Sequence, residues 1–432
     1  MADERPAGRV PPQPWMTAPG TLAVLAALAA GGSPARFVGG CVRDALLGRP
    51  VNDVDIATPE PPERVMALLR AAGLKALPTG IEHGTVTALA HGHHYEVTTL
   101  RRDVTTDGRR AVVAFTDDWA ADAARRDFTI NALFCDPDGT LHDHVGGIAD
   151  LAERRIRFVG DPGQRIREDV LRLLRFFRFY AHLGRPPPDA AALAAARALA
   201  PLLPRLSGER VRAELLRLLQ AADPAPVLRL MREAGVLAWL VPQPPDIDRL
   251  AALVMLEAAV PPPLVPAADA LRRLAALVAG GAEVALGLAA RLRLSTAERD
   301  RLAGMVEGPA VTPDLDRRAA RRLLYRLGAA PFRDLALLAW AGAAARGEAG
   351  GDAGAGAEPW LALLALAAGW TRPALPVRGA DAAALGIAPG PAIGRLLAAV
   401  ESWWIEGDFT ADRTACLARL SALAASSDIV GG

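Results

Sequence analysis

The chain has 432 residues, 51% hydrophobic and 22% charged, with 40 glycines and 35 prolines. That composition supports buried cores in two to four structural units and excludes a disordered, fibrous or disulfide-stapled protein. Forty-nine basic residues against 48 acidic ones exclude a general positive coat, so any nucleic-acid contact must come from a local patch.

Lys75 is the only lysine, and no G-x-x-x-x-G-K-[ST] run exists, which removes a P-loop nucleotidase. The arginine bias has a compositional source in a GC-rich coding sequence that also enriches Ala, Gly and Pro. Cys41, Cys135 and Cys416 are far apart and odd in number, a pattern that fits a reducing, cytoplasmic setting. No run reaches the roughly 18 apolar residues that a membrane span needs.

In chain order, the first 20 residues hold Pro11, Pro12 and Pro14 and read as a disordered lead. The apolar stretch Thr21 to Ala30 reads as a helix entering the first strand. Strand-type runs follow at Arg36–Val38, Val54–Ile56, Gly84–Ala90, Tyr95–Leu100 and Ala111–Phe115. "HGHH" (His91, His93, His94) reads as an exposed hairpin turn rather than a metal site. Beyond about Leu151 the apolar spacing becomes three and four, and helix follows helix. Ser207 is an expected N-cap, and Ser295 with Glu298 an expected capping box. Residues 341–357 are Ala/Gly-rich and read as a loop. "ALGIAPGPAIGRLL" reads as two helices joined by a Gly/Pro turn, and Trp403 and Trp404 as core.

The strongest chemical signal is "RFVGGCVRDALLGRPVNDVDIAT". Gly39 and Gly40 end a strand ahead of a helix, where backbone N–H groups can approach a triphosphate closely. Arg43 can add charge-assisted contacts on the same side. Asp53 and Asp55, two apart on the next strand, point the same way about 7 Å apart. Such a pair can grip two Mg²⁺ ions, which stand roughly 3.5–4 Å apart in two-metal sites.

This spacing resembles the nucleotidyltransferase fold of the DNA polymerase β type. That fold uses a third carboxylate on an adjacent strand, and Glu96 in "YEV" fits. With "AARRDFTINALFCD" and "REDVLRLLRFFRF" downstream, the first 220 residues resemble the class II tRNA nucleotidyltransferases, the CCA-adding enzymes with bacterial poly(A) polymerases as relatives. The implied fold is α+β: a nucleotidyltransferase head with a mixed or antiparallel sheet over 21–150, then an all-helical neck (151–225), body (226–310) and tail (311–432). No histidine follows His182, so the His-Asp phosphohydrolase domain of some members is not expected.

The resemblance implies that Arg126, Asp127 and Asn131 meet the nucleotide's ribose and phosphates. It also implies that Glu168, Asp169, Arg172 and Arg175, spaced for one helical face, meet its base. Asp169 can accept from an exocyclic amine while Arg172 donates to a ring nitrogen, a pairing offered by cytosine and adenine but not by uracil or guanine. Asp103, Asp107, Arg109 and Arg110, in the segment Arg101 to Phe115, resemble the loop of enzymes that add all three nucleotides. The stretch "PTGIEHGTVTALA" lacks the "GRRF"-type signature of poly(A) polymerases.

The function expected is addition of C, C and A to tRNA lacking all or part of its 3′ CCA, from CTP and ATP, with no membrane or obligate protein partner. The alternatives are poly(A) synthesis and an enzyme adding only CC or only A. A non-catalytic tRNA chaperone and a small-molecule nucleotidyltransferase are further readings, disfavoured by the three carboxylates and the long helical part.

Overall fold

A computed structural model describes residues 7–107, 110–241, 243–348 and 356–426. The chain forms two compact units that divide after Pro242. In the first, strands β1 (Gly8–Arg9), β2 (Arg36–Val38), β3 (Val54–Thr58), β4 (Lys75–Gly80), β5 (Thr85–Ala90) and β6 (His93–Thr99) build one sheet. A separate hairpin of β7 (Arg101–Asp107) and β8 (Arg110–Phe115) follows, and β9 (Leu133–Cys135) and β10 (Thr140–Asp143) then complete the main sheet. Its order is β1-β10-β9-β2-β3-β6-β5-β4, and only β3 and β6 run parallel. The expected mixed-sheet head is therefore present.

Strand β3 lies in the middle of this sheet, and Val54, Ile56, Ala57 and Thr58 are buried. Helix α1 (Pro19–Ala29) and helix α3 (Pro62–Ala71) pack against each other and against the β5 side, while the short α2 (Gly40–Leu46) follows β2 directly. The β5–β6 turn is His91–Gly92, with φ of 49° and 80°, the two positive values that a two-residue hairpin requires. His93 and His94 belong to β6 rather than to the turn, and all three histidines are exposed.

The reading of residues 1–20 as a disordered lead is corrected from Ala7 onward. β1 pairs with β10, Val10 and Met16 are buried, and Trp15 meets the Phe37 ring edge-on at 4.8 Å. A short edge strand and a 3-10 turn at Pro14–Met16 lay apolar side chains on the sheet, Trp15 against Phe37 of β2.

Helices α4 (Trp119–Ala124), α5 (Gly147–Ala152), α6 (Pro162–Glu168), α7 (Leu171–Leu183), α8 (Ala190–Leu199), α9 (Gly208–Leu219) and α10 (Ala225–Glu233) complete the first unit. An aromatic core of Phe128, Phe158, Phe176, Phe177 and Phe179 joins α7 to the sheet region. Helix α10 packs on α7, so the division falls after Pro242 and not at the expected 225/226 boundary.

The second unit is helical throughout its described residues, from α11 (Ile247–Ala259), α12 (Ala270–Leu277), α13 (Ala282–Arg291) and α14 (Thr296–Glu307) to α15 (Arg317–Leu327) and α16 (Ala329–Ala345). It ends with α17 (Glu358–Ala368), α18 (Gly379–Ala383), α19 (Pro391–Glu406) and α20 (Arg413–Ala425). Helices α14 and α15 both pack on α16, which bridges the expected break at 310/311. Ser295 and Glu298 form the capping box, whereas the Ser207 side chain makes no cap bond. Trp404 is buried in the α18–α20 core, with Trp403 packed against it. Among the described residues no helix is long and apolar enough to cross a membrane.

Candidate active site

The carboxylates gather where β3 and β6 run side by side. Asp55 stands directly across from Glu96 in the parallel register. Asp53 lies one residue ahead of β3, not on it as expected, and is exposed like Glu96, while Asp55 is half-buried. Burial pushes the Asp55 carboxyl up, the Glu96 and Asp53 charges push the same way, and the nearby Arg126 only partly offsets them, giving a pKa of about 6. Such uncompensated negative charge calls for a cation.

The donors are all oxygens, which suits a hard divalent ion such as Mg²⁺. Among the described residues no three His, Cys, Asp or Glu side chains converge into a ready cage. An open pair of carboxylates is the usual protein share of a site completed by substrate phosphates. The residues present therefore fit the ion.

Beside this edge, Gly39 takes φ 74° and ψ −121° at the head of α2. Only glycine adopts that conformation without strain, and it turns the chain sharply from β2 into the helix. Arg43 grips Asp44 through two bonds of 2.9 and 2.8 Å and donates its third nitrogen to Asn131 Oδ1 at 2.6 Å. Asn131 in turn donates to Asp127 Oδ1 at 3.1 Å. Asp127 also accepts from Arg175 Nε at 2.7 Å and from the Phe128 backbone N–H at 2.8 Å. Burial raises the Asp127 carboxyl, but Arg175 and these donors more than reverse it, so it lies below the usual carboxylate range. Arg43, Asn131, Asp127 and Arg175 thus form one chain of contacts.

Arg126 is clasped by Asp122 through bonds of 3.1 and 2.8 Å. A Cβ on Gly39 would stand 3.7 Å from Arg126 Nη1 and 3.5 Å from the Asn131 carbonyl, and one on Gly40 would stand 3.8 Å from Arg43 Nη2. The glycine turn, Arg43, Arg126 and Asn131 are therefore one neighbourhood.

The expected single helical face of Glu168, Asp169, Arg172 and Arg175 is corrected. Helix α6 ends at Glu168, Asp169 is extended with φ −151° and ψ 106°, and α7 begins at Leu171. The break frees the Asp169 carboxylate to cap Leu171 N–H at 3.1 Å and to pair with Arg210 of α9 at 2.8 Å. Glu168 pairs with Arg165 at 2.8 Å and with Arg172 at 2.6 Å. Arg175 points instead to Asp127.

Several participants escaped the sequence reading. Buried Glu214 accepts from Arg178 at 2.5 Å, and the Phe179 ring meets the guanidiniums of Arg178, Arg43 and Arg175 at 4.1, 5.2 and 5.4 Å. A cavity of about 630 Å³ opens beside Arg43, with Arg49, Asn52, Arg178, His182 and Arg217 in its wall. Burial holds the His182 imidazole below its ordinary pKa, and the Arg178, Arg49 and Arg43 charges push the same way. Asp44 stands in the same wall, paired with Arg43, so arginine exceeds carboxylate around the cavity. A repeated Arg at three-residue spacing along α7 (Arg172, Arg175, Arg178) was the available signal. The side chains of Asp103, Asp107, Arg109 and Arg110 lie outside the described residues.

The chain is similar to known proteins in sequence and in fold. The Poly A polymerase head domain family matches residues 35–157, and the family described as probable RNA and SrmB-binding site of polymerase A matches 188–247. Mitochondrial CCA tRNA nucleotidyltransferase 1 of Danio rerio is 43% identical over 219 residues, 50% of this chain and 51% of that protein. The CCA-adding enzyme of Levilactobacillus brevis is 43% identical over 235 residues, 53% of this chain and 58% of that enzyme. The chain thus spans about half the length of the curated relatives it matches. The crystal structure of the Bacillus stearothermophilus CCA-adding enzyme in complex with CTP superposes with a TM-score of 0.73 at 30% identity, covering 94% of this chain and 97% of that one. With that likeness along nearly the whole of both chains, the protein belongs to the class II tRNA nucleotidyltransferase family of CCA-adding enzymes and bacterial poly(A) polymerases.

Proposed function

We propose that the protein adds C, C and A to the 3′ end of tRNA without a template, using CTP and ATP and releasing pyrophosphate. The observation that carries this reading is the under-compensated Asp53–Asp55–Glu96 edge beside the Gly39–Gly40 turn. It occurs in a chain whose 30%-identical relative of near-equal span is a CCA-adding enzyme in complex with CTP.

Family membership implies dependence on a divalent cation. Asp53 and Asp55 would hold it, with Glu96 across the strand pair. Bound there, two Mg²⁺ ions would supply hydroxyl activation and charge neutralisation at the α-phosphate. The chain's own residues then do the rest. Gly39 and Gly40 bring backbone N–H groups to the triphosphate, and Arg43, held in one plane by Asp44, meets its charge. Arg126, Asp127 and Asn131 orient the ribose and phosphates. Asp169 and Arg172 read the base, Glu168 steadying Arg172 and Arg175 bracing Asp127. A mispaired buried group costs about 1–3 kcal/mol, so two polar contacts suffice to reject uracil and guanine. Three buried, unpaired thiols suit a cytoplasmic setting.

The test is extension of a tRNA transcript ending before CCA, with CTP, ATP or both. Growth by two residues with CTP and by a third when ATP is added is the expected result. A long ladder with ATP alone would make the enzyme a poly(A) polymerase, and a stop after CC with ATP present would make it a CC-adding one.

A further inference from the structure

Asp122 sits on α4 and is 1% exposed. Its Oδ1 accepts from Arg125 Nε at 2.8 Å, Arg125 Nη2 at 2.6 Å and the Arg101 backbone N–H at 3.2 Å. Its Oδ2 accepts from Arg126 Nε at 3.1 Å and Nη2 at 2.8 Å. Arg125 Nε also donates to the Arg101 carbonyl at 3.0 Å, and Arg165 holds the end of α4 through the Ala124 carbonyl at 2.5 Å. One buried carboxylate thus fixes two adjacent guanidiniums and the first residue of the β7–β8 hairpin.

The consequence for Arg126 is geometric. Two donors of one guanidinium edge closing on a single carboxylate oxygen fix the direction in which that edge faces, which an otherwise flexible side chain cannot hold alone. The clasp occupies the Nε–Nη2 edge, and the Nη1 corner lies by the Gly39 turn. Without Asp122 the Nε–Nη2 edge loses both of these bonds, which returns to the long side chain its ordinary rotamer freedom.

Resting on the reading above, we propose that Asp122 is a positioning residue. It holds Arg126 beside the Gly39 turn, aimed at the bound nucleotide, and it ties that aim to the base of the hairpin.

The test is a double-mutant cycle on the full chain with D122N, R126A and the double variant. CTP affinity is measured by calorimetry, KM by extension of tRNA lacking CCA, and stability by thermal melting. D122N is expected to weaken CTP by about tenfold to a hundredfold, the size of loss that misplacing a binding group brings. The double variant should bind CTP no more weakly than R126A alone, because Asp122 acts through Arg126, although its melting temperature falls further through the loss of the Arg125 pair. Multiplicative losses in affinity, or a D122N protein that melts lower yet binds CTP normally, would overturn the proposal.

If D122N does not fold, R126K supplies the answer. It keeps the charge and the Asp122–Arg125 pair but loses the two-point clasp, so weakened CTP binding is expected and wild-type affinity would refute the role. A wild-type protein that neither binds CTP nor extends tRNA would instead remove the function on which the proposal stands, and the proposal with it.

Discussion

Both units contain networks of arginine and carboxylate, and the two differ in how they end. In the second unit, Arg272 pairs with Glu257 at 2.7 Å and with Asp334 at 3.1 Å, Arg273 with Glu257 at 2.7 Å, and Arg301 with Asp334 at 2.8 Å. Arg272, Glu257 and Asp334 side chains are no more than 6% exposed. With Asp269 paired to Arg301, these three cations and three anions are all engaged with one another. In the first unit, Arg126 is already held by Asp122, Arg43 by Asp44 and Arg175 by Asp127, while the charges of Glu96 and Asp53 act on Asp55 with only a partial offset from Arg126. Ion-pair geometry alone does not mark a functional site. Charge left uncompensated beside pre-set guanidiniums does, because a ligand must complete it.

That contrast can be broken at several points. The largest effect is expected from D55A, which should lower nucleotide addition by about a thousandfold or more. Its melting temperature should stay level or rise, since burial and like charges oppose ionised Asp55 in the fold. A folded D55A protein with substantial turnover would refute the carboxylate assignment. The mirror experiment is D334N in the second unit's network, which leaves buried Arg272 and part-exposed Arg301 short of a partner. Chemical unfolding should show a loss of about 3–5 kcal/mol, with the KM for CTP unchanged; a raised KM would mean that the two networks are not separable in role.

A smaller effect is expected at the glycine turn. G39A places a side chain at φ 74°, costing about 1–3 kcal/mol of stability, and transfer should fall with it, read as melting temperature and CTP turnover.

The smallest effect sharpens the comparison through pH. The Asp127 carboxyl is held below its ordinary value, so its contribution is complete above the unfolded pKa of about 4 and is lost as pH falls through the folded value. The melting deficit of D127N against wild type should therefore be full at pH 6 and shrink below about pH 4. A deficit independent of pH would mean that charge plays no part.

The sequence made some of this legible and concealed the rest for physical reasons. The Gly-Gly turn and the strand carrying Asp55 were readable because they are local, and β2 and β3 fall at the expected Arg36–Val38 and Val54–Ile56 runs. Strands β9 and β10 are three and four residues long, too short for alternation to show, and β4 contains Pro78, which reads as a turn until the strand is seen at the sheet edge. Glu168 to Arg175 keeps helical spacing across a real break, because Asp169 is drawn out of the helix by Arg210, 41 residues away in the chain. Glu214 could not be found locally, since its partners come from α7. Asp122 could have been: Arg125 and Arg126 follow it at three and four residues, the spacing of a helical pair.

On the proposed function, this site chooses C and A and stops after three additions. That choice is tested most directly by incubating the protein, Mg²⁺ and tRNA ending before CCA with all four nucleoside triphosphates at equal concentration, then sequencing the 3′ ends. The account predicts ends that read CCA and grow no further. Ends that carry U or G, continue into an A tail, or remain unextended would contradict it.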